Sequence, residues 1–230
     1  MEKYLYDMKD GEEVARLNPE WLKHIQNLKY EFYLKESGIP IDYWNLTYDD
    51  CGIGSNERVV TVCRNYINRI KTGTIKNLYL YGLNSTGKTT AMNCIGKDAI
   101  KEGLKVKFIL SNDLINILQK TSGYGINDEF ERKKNALFNA DLVLVDEVFD
   151  ASKSTLWKGE SRNLIVSDLD GFFRHVISNN RRIVTTSNIL KERIASDYSP
   201  SLFELIDRNF QELKFTESVK ENRKRKLMEN

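Results

Sequence analysis

The sequence predicts an α/β fold in which a parallel sheet lies between helices, and three observations predict it. Short apolar runs, "NLYLYG", "KVKFIL", "DLVLVDE" and "RRIVTTSN", alternate with helical patterns about a dozen residues long, the order of a parallel sheet with helical crossovers. The run Leu142 to Val145 is apolar at consecutive positions, as a strand buried on both faces is. Between the first run and a following helix stands "GLNSTGKT", a glycine-rich turn in the strand-loop-helix context that gives such turns meaning.

The elements follow in order. Asn18-Pro19 opens a helix, asparagine as cap and proline in the first turn, and the helix runs to about Gly38. Trp21, Ile25, Leu28 and Phe32 share one stripe of it, which either packs on the chain's own domain or docks on a partner. "GIPIDYWNLTYDD" is extended or turn-like, since Pro40 pushes its predecessor out of the helical region. A helix over about 56 to 72 leads into "NLYLYG", the glycine loop and a helix from Lys88. "KVKFIL" comes next, with a helix after Ser111-Asn112-Asp113 and a polar helix around "NDEFERKKNALF". "DLVLVDE", a long helix over "NLIVSDLDGFFRHVI", "RRIVTTSN" and a helical "SLFELIDRNF" complete the described pattern.

Composition narrows the class. A chain of 230 residues with 40% hydrophobic residues and three prolines buries a full core. It has no run of about 18 apolar residues and no apolar signal core, so a cytoplasmic protein without a membrane partner is expected. Cys51, Cys63 and Cys94 form no CxxC pair and read as core or half-buried thiols. The 35 basic and 33 acidic residues nearly cancel, but Lys220, Arg223, Lys224, Arg225 and Lys226 crowd the tail. That run is either a solvated helix face or a phosphate-contacting one.

Gly82-Leu-Asn-Ser-Thr-Gly87-Lys88-Thr89 satisfies GxxxxGK[ST]. Glycines let the backbone turn its N–H groups toward phosphate oxygens, and the helix N-terminus adds its positive end. The predicted nucleotide-binding residues are Gly82, Asn84, Ser85, Thr86, Gly87, Lys88, Thr89 and Thr90. Lys88 would face the β- and γ-phosphates, and Thr89 would ligate Mg²⁺. Asp146 and Glu147 emerge at the C-terminal end of the next apolar strand but one, where α/β sheets place ligands. Asp146 is expected to hold Mg²⁺ through water and Glu147 to orient or deprotonate the attacking water. The strand end Thr185, Thr186, Ser187 and Asn188 offers small polar groups to the γ-phosphate or its attacking water.

Together with Arg208, these pieces in this order resemble the AAA+ ATPases, and within them the DnaC/DnaI-type replicative helicase loaders, related to IstB-type transposition ATPases. The matching stretches are "GIPIDYW", "LYLYGLNSTGKTT", "KVKFILSNDLINIL", "DLVLVDEV", the tryptophan of "KSTLWKGE", "IVTTSN" and "LIDRNFQELKF". The resemblance implies that Asn188 reads the γ-phosphate and that Arg208 reaches the ATP site of a neighbouring subunit. It gives Arg223 a second nucleotide-sensing role, although "TESVKENRKRK" departs from the family's ending. It also places Ile39 or Tyr43 on the adenine.

The implied function is an ATP-dependent loader that binds a hexameric DnaB-type helicase and places it on single-stranded DNA, self-associating through its ATP interfaces. ATP and Mg²⁺ are the implied cofactors, with slow hydrolysis stimulated by assembly, DNA or partner. An IstB-like helper acting on duplex DNA is the alternative. A small-molecule kinase would need an arginine-bearing lid that the sequence does not show, and ATP as an assembly switch with negligible turnover is a further reading. Residues 1–37 form a helical N-terminal extension for docking a partner, and residues 38–230 the ATPase domain with its basic tail. Asn84 and Ser85 stand where many loaders have glycine or proline, and the N-terminal part lacks a Cys/His zinc module, so the chain resembles a compact, phage- or mobile-element-encoded version.

Overall fold

Five parallel strands form the centre of the molecule. In this computed structural model, residues 2–9, 12–51, 54–73, 77–122, 128–149 and 160–219 are described. The strands are β3 (Asn77–Gly82), β4 (Val106–Leu110), β5 (Leu142–Asp146), β6 (Arg182–Ser187) and β7 (Phe210–Phe215), in spatial order β4-β5-β6-β3-β7. All four neighbouring pairs are parallel. The expected α/β layout is therefore present, with the strand that feeds the glycine loop inside the sheet.

Alternation along the strands divides the core into two layers. Tyr79, Val143, Val145, Ile183 and Phe210 point into one, with residues of α5 (Ser111–Ser122), α6 (Asp128–Phe138), α7 (Glu160–Ser178), α8 (Glu192–Asp197) and α9 (Pro200–Asn209). Leu78, Leu80, Leu142, Leu144, Val184, Leu213 and Phe215 point into the other. There they meet α4 (Lys88–Lys101), α2 (Glu57–Arg64), α3 (Tyr66–Lys71) and the segment from Ile39 to Cys51. Every residue of β5 is buried because helices cover both faces.

Three features differ from the sequence reading. The helix expected over 56 to 72 is two, broken at Asn65, whose backbone leaves helical geometry (φ −91°, ψ 0°) while its amide donates to the Thr61 carbonyl. Such side-chain bonds compete with the helical ladder. The C-terminal portion read as helical contains α8 and α9 and then β7, which "FQELKF" forms by burying Phe210, Leu213 and Phe215 beside β3. The N-terminal extension begins with an antiparallel hairpin, β1 (Tyr4–Lys9) and β2 (Glu12–Leu17). Its sequence signal was the Asp10-Gly11 dipeptide between the paired runs. The three cysteines are free and buried.

Helix α1 (Pro19–Glu36) begins as expected, with the Asn18 side chain accepting from the Glu20 N–H. Its stripe splits. Trp21 and Ile25 are half-buried, whereas Leu28 and Phe32 are exposed. The far end belongs to the core: Leu34 is 3% exposed, and the Ser37 carbonyl accepts from the Phe108 N–H on edge strand β4. The last turn of α1 therefore shares the core that the parallel sheet forms. Leu34→Ala is expected to destabilise the chain by about 2–5 kcal/mol, the range for a buried leucine cut back in a core. Phe32→Ser, at a side chain 59% exposed, is expected to shift stability by less than about 0.5 kcal/mol in the same urea titration.

Candidate functional site

The glycine loop is built by two close approaches. Gly82 ends β3 at φ +149°, and a Cβ there would lie 2.1 Å from the Phe215 carbonyl oxygen of β7. Gly87, at φ +92°, would place a Cβ 2.7 Å from that of Cys51. No other residue fits either position without displacing backbone or core. Between them Ser85 is left-handed (φ +62°), and the Thr86 hydroxyl donates to the Leu83 carbonyl at 2.9 Å. The loop residues Ser85 to Thr90, with Tyr43 and Val219, line a cavity of about 320 Å³.

Lys88, the first residue of α4, is buried, and its ammonium donates to the carbonyls of Gly82 (2.9 Å) and Leu83 (2.7 Å). Burial pushes its pKa down to about 8, against the opposing pull of Asp146 and Glu147. Asp146 closes β5 with 5% exposure. The Thr89 hydroxyl donates to its carboxylate at 3.0 Å, and the Thr186 hydroxyl donates to the same oxygen. Burial raises the Asp146 pKa, while those hydroxyls and the Lys88 charge pull it back.

Glu147 follows at φ +56°, its N–H donating to the Thr186 hydroxyl and its carbonyl accepting from Ser111, both at 2.9 Å. These bonds fix the backbone turn and leave the Glu147 side chain exposed beside the cavity end of the sheet. Thr89 and Asp146 together present hard oxygen donors, the set that suits Mg²⁺.

The polar end of β6 does not open toward ligand as a group, contrary to the sequence expectation. Thr185, Thr186 and Ser187 are buried. Thr185 bonds the Leu78 carbonyl, Thr186 serves Asp146 and Glu147, and Ser187 accepts from the Ile189 N–H. β6 lies between β5 and β3, so these hydroxyls join its neighbours. Asn188 is half-exposed and lines a second hollow with Gly82, Leu83 and Lys214. Of the two adenine candidates, Tyr43 lines the cavity, whereas Ile39 is a core residue facing Gly96. Asn84 is exposed on the loop.

Arg208 lies elsewhere. It is in the last turn of α9, exposed, and paired with Glu204 at 3.4 Å. Phe210 registers with Asn77, so Arg208 sits by the start of β3, while the glycine loop follows its end. Six residues at about 3.3 Å each separate them by about 20 Å, beyond the reach of an arginine side chain. Arg223, the basic tail and Trp157 lie outside the described residues.

Three contributors were not legible in the sequence. Lys97 on α4, 7% exposed, donates to the carbonyls of Tyr43 (2.8 Å), Trp44 (3.1 Å) and Leu46. It pins the turn that carries Tyr43. Asn56 donates to the Thr86 carbonyl at 3.2 Å, and the Val219 N–H donates to the Ser85 carbonyl at 2.8 Å. None belongs to a motif; each acts across at least 30 residues of sequence.

Comparison with known proteins agrees with this geometry. The sequence model of the family described as IstB-like ATP binding protein matches residues 64–189. The chromosomal replication initiator protein DnaA of Campylobacter jejuni (strain 81-176) is 26% identical over 164 residues, 67% of this chain and 35% of the relative. The replicative helicase loader DnaC of Buchnera aphidicola subsp. Baizongia pistaciae is 27% identical over 141 residues, covering 60% of this chain and 57% of the relative. The chain thus spans about a third of the one relative and little more than half of the other. The crystal structure of a DnaC helicase loader superposes with a TM-score of 0.62 at 17% identity, over 76% of this chain and 99% of that one. The expected α/β P-loop fold is borne out, shared with the DnaC loader structure, and the expected IstB relationship is shown by the family model. Among the described residues no helix is long and apolar enough to cross a membrane.

The depressed pKa of Lys88 is expected to make nucleotide binding at this loop pH-dependent. A bound triphosphate restores the charged ammonium, so from about pH 8 upward binding takes up a proton and affinity falls as pH rises. Calorimetry in two buffers of different ionisation enthalpy is expected to show that uptake. In the chain alone the sign is opposite for stability. The unfolded lysine keeps its proton up to the ordinary range near 10.4, so stability rises with pH between about 8 and that value.

Proposed function

Since this chain belongs to the IstB-like ATP binding protein family, we propose that it is an ATP-dependent helicase loader, binding a hexameric replicative helicase and helping to place it on single-stranded DNA. The observation that carries this reading is the convergence of Lys88, Thr89 and Asp146 at the glycine loop, in a fold that covers 99% of a DnaC loader. The replication context of the DnaC and DnaA relatives supports the process, and the partners follow from the DnaC name. The match to the IstB family model supports a second reading, a transposition helper on duplex DNA.

In this reading the loop N–H groups and the α4 N-terminus receive the phosphates, and Tyr43 borders the base. The Lys88 ammonium turns from the Gly82 and Leu83 carbonyls to the β- and γ-phosphates. Thr89 and Asp146 would hold Mg²⁺, which when bound neutralises charge developing on the phosphates. Glu147, on a backbone fixed by Thr186 and Ser111, orients and deprotonates the attacking water, and Asn188 contacts the γ-phosphate. Arg208, too far from its own loop, serves the ATP of a neighbouring copy. The hairpin and the exposed Leu28 and Phe32 of α1 form the docking element for the helicase.

Co-elution of the chain with a DnaB-type helicase, in ATP but not in its absence, is the expected result in size-exclusion chromatography. Retention of a duplex in preference to both helicase and single strand would replace this reading with the transposition one. Arg208→Ala is expected to keep nucleotide affinity and lose stimulated hydrolysis by about tenfold or more. Mixing it with Lys88→Ala subunits restores part of the activity, because one interface then unites an intact loop with an intact arginine. A steady-state phosphate-release assay across mixing ratios checks both statements.

A further inference from the structure

We propose that Asn56 is a positioning residue that couples nucleotide binding at the glycine loop to the chain segment leaving β7. The inference rests on the nucleotide reading of that loop and adds to it a regulatory link. Asn56 ends the short turn Gly54–Asn56 before α2, makes no side-chain capping bond to that helix, and is 1% exposed. All of its polar capacity is directed at two segments far away in sequence. Its amide donates to the Thr86 carbonyl at 3.2 Å and to the Glu217 carbonyl at 3.1 Å. Its oxygen accepts from the Thr216 N–H at 2.9 Å and the Glu217 N–H at 3.3 Å.

Peptide geometry explains why this bears on phosphate binding. In a planar trans peptide the carbonyl and the next residue's N–H point in opposite directions. Asn56 holds the Thr86 carbonyl, which aims the Gly87 N–H the other way. The Val219 N–H holds the Ser85 carbonyl, which does the same for the Thr86 N–H. Both carbonyls are tied on the side of the departing chain, so both N–H groups are turned from it. Val219 also lines the cavity, with its side chain 3.1 Å from where a Gly87 Cβ would stand. Ser55 reinforces the clasp, its hydroxyl 2.6 Å from that of Thr216 and its N–H on the Glu217 carboxylate at 2.9 Å.

A ligand that selects the N–H arrangement therefore selects the position of residues 216–219, and by linkage an event that moves this segment changes nucleotide affinity by the same factor. Buried Asn56 carries one of the two links through which both effects pass, and the Val219 N–H on the Ser85 carbonyl carries the other.

The test uses the full chain, a non-hydrolysable ATP analogue, and hydrogen exchange at the Thr216 and Glu217 amides. In the wild type, saturating analogue slows exchange at both. Asn56→Asp keeps the acceptor for those amides but sets a carboxylate against the Thr86 and Glu217 carbonyls. Its affinity falls by about tenfold or more, as an unpaired buried carbonyl implies, and the analogue-dependent slowing is lost even at saturation. Loosened packing alone would lower affinity and leave the slowing in place. Should Asn56→Asp not fold, Val219→Pro removes the N–H that holds the Ser85 carbonyl, and loss of slowing at saturation is again the expected result. Slowing retained in the folded variant, or absent from a wild type that binds the analogue, overturns the coupling. A wild type that does not bind the analogue overturns instead the nucleotide reading on which it rests.

Discussion

A buried carboxylate holds the candidate site together. Asp146 lies at the end of β5, separated from β3 by β6. Burial raises its pKa, and hydroxyls that reach it from both sides oppose that rise, Thr186 from β6 and Thr89 from the first turn of α4. That arrangement fixes three chain segments at once: the end of β5, the end of β6 and the start of the helix after the glycine loop. Thr186 then accepts from the Glu147 N–H, so the same hydroxyl sets the turn from which the second acidic residue emerges. Replacing Thr186 by an apolar residue of similar volume would leave the sheet intact and the carboxylate under-solvated.

The loop is enclosed by parts of the chain that carry no motif. β7 passes so close to Gly82 that its backbone excludes a side chain, and Cys51 does the same at Gly87. Lys97 gathers the carbonyls of Tyr43, Trp44 and Leu46, giving a buried ammonium the partners it needs and bringing the tyrosine to the rim of the cavity. Burial and the nearby Asp146 raise the Tyr43 pKa, so its hydroxyl stays neutral beside the acidic centre. The glycine loop is in this sense a joint product of α4, β7 and the segment before α2.

Packing weakens toward the N-terminus. The last turn of α1 is anchored through Leu34 and Ser37, whereas the hairpin leaves Tyr6 and Met8 61% and 72% exposed. A two-stranded ribbon is marginal by itself. It is tied to the start of α1 by the Asn18 N–H on the Lys3 carbonyl and the Asn18 amide on the Glu2 carbonyl, with the Lys3 ammonium over the Trp21 ring. Asn18 therefore serves as helix cap and as tie to the hairpin.

Much of this was legible in the sequence because it is local. The glycine loop, the two acidic residues closing an apolar run and the β/α alternation depend on residues within a few positions of one another, and each stands where its motif placed it. The hairpin lies in the stretch that the sequence reads as a helical extension: Asp10-Gly11 carries its turn signal, but its exposed faces lack the alternation that marks a half-buried strand. β7 was harder: "FQELKF" carries two charges in six residues and becomes a strand through its pairing with β3. The sequence by itself determined the fold class, the loop chemistry and the order of the polar groups. Only the tertiary structure decided that Thr186 serves Asp146 rather than a ligand, that Arg208 lies at the opposite end of β3 from its own loop, and that Asn56, Lys97 and Val219 hold the site. Those assignments depend on which strands are neighbours and on where buried carbonyls find donors, and such pairings form across distances in the chain that periodicity and motif spacing do not encode.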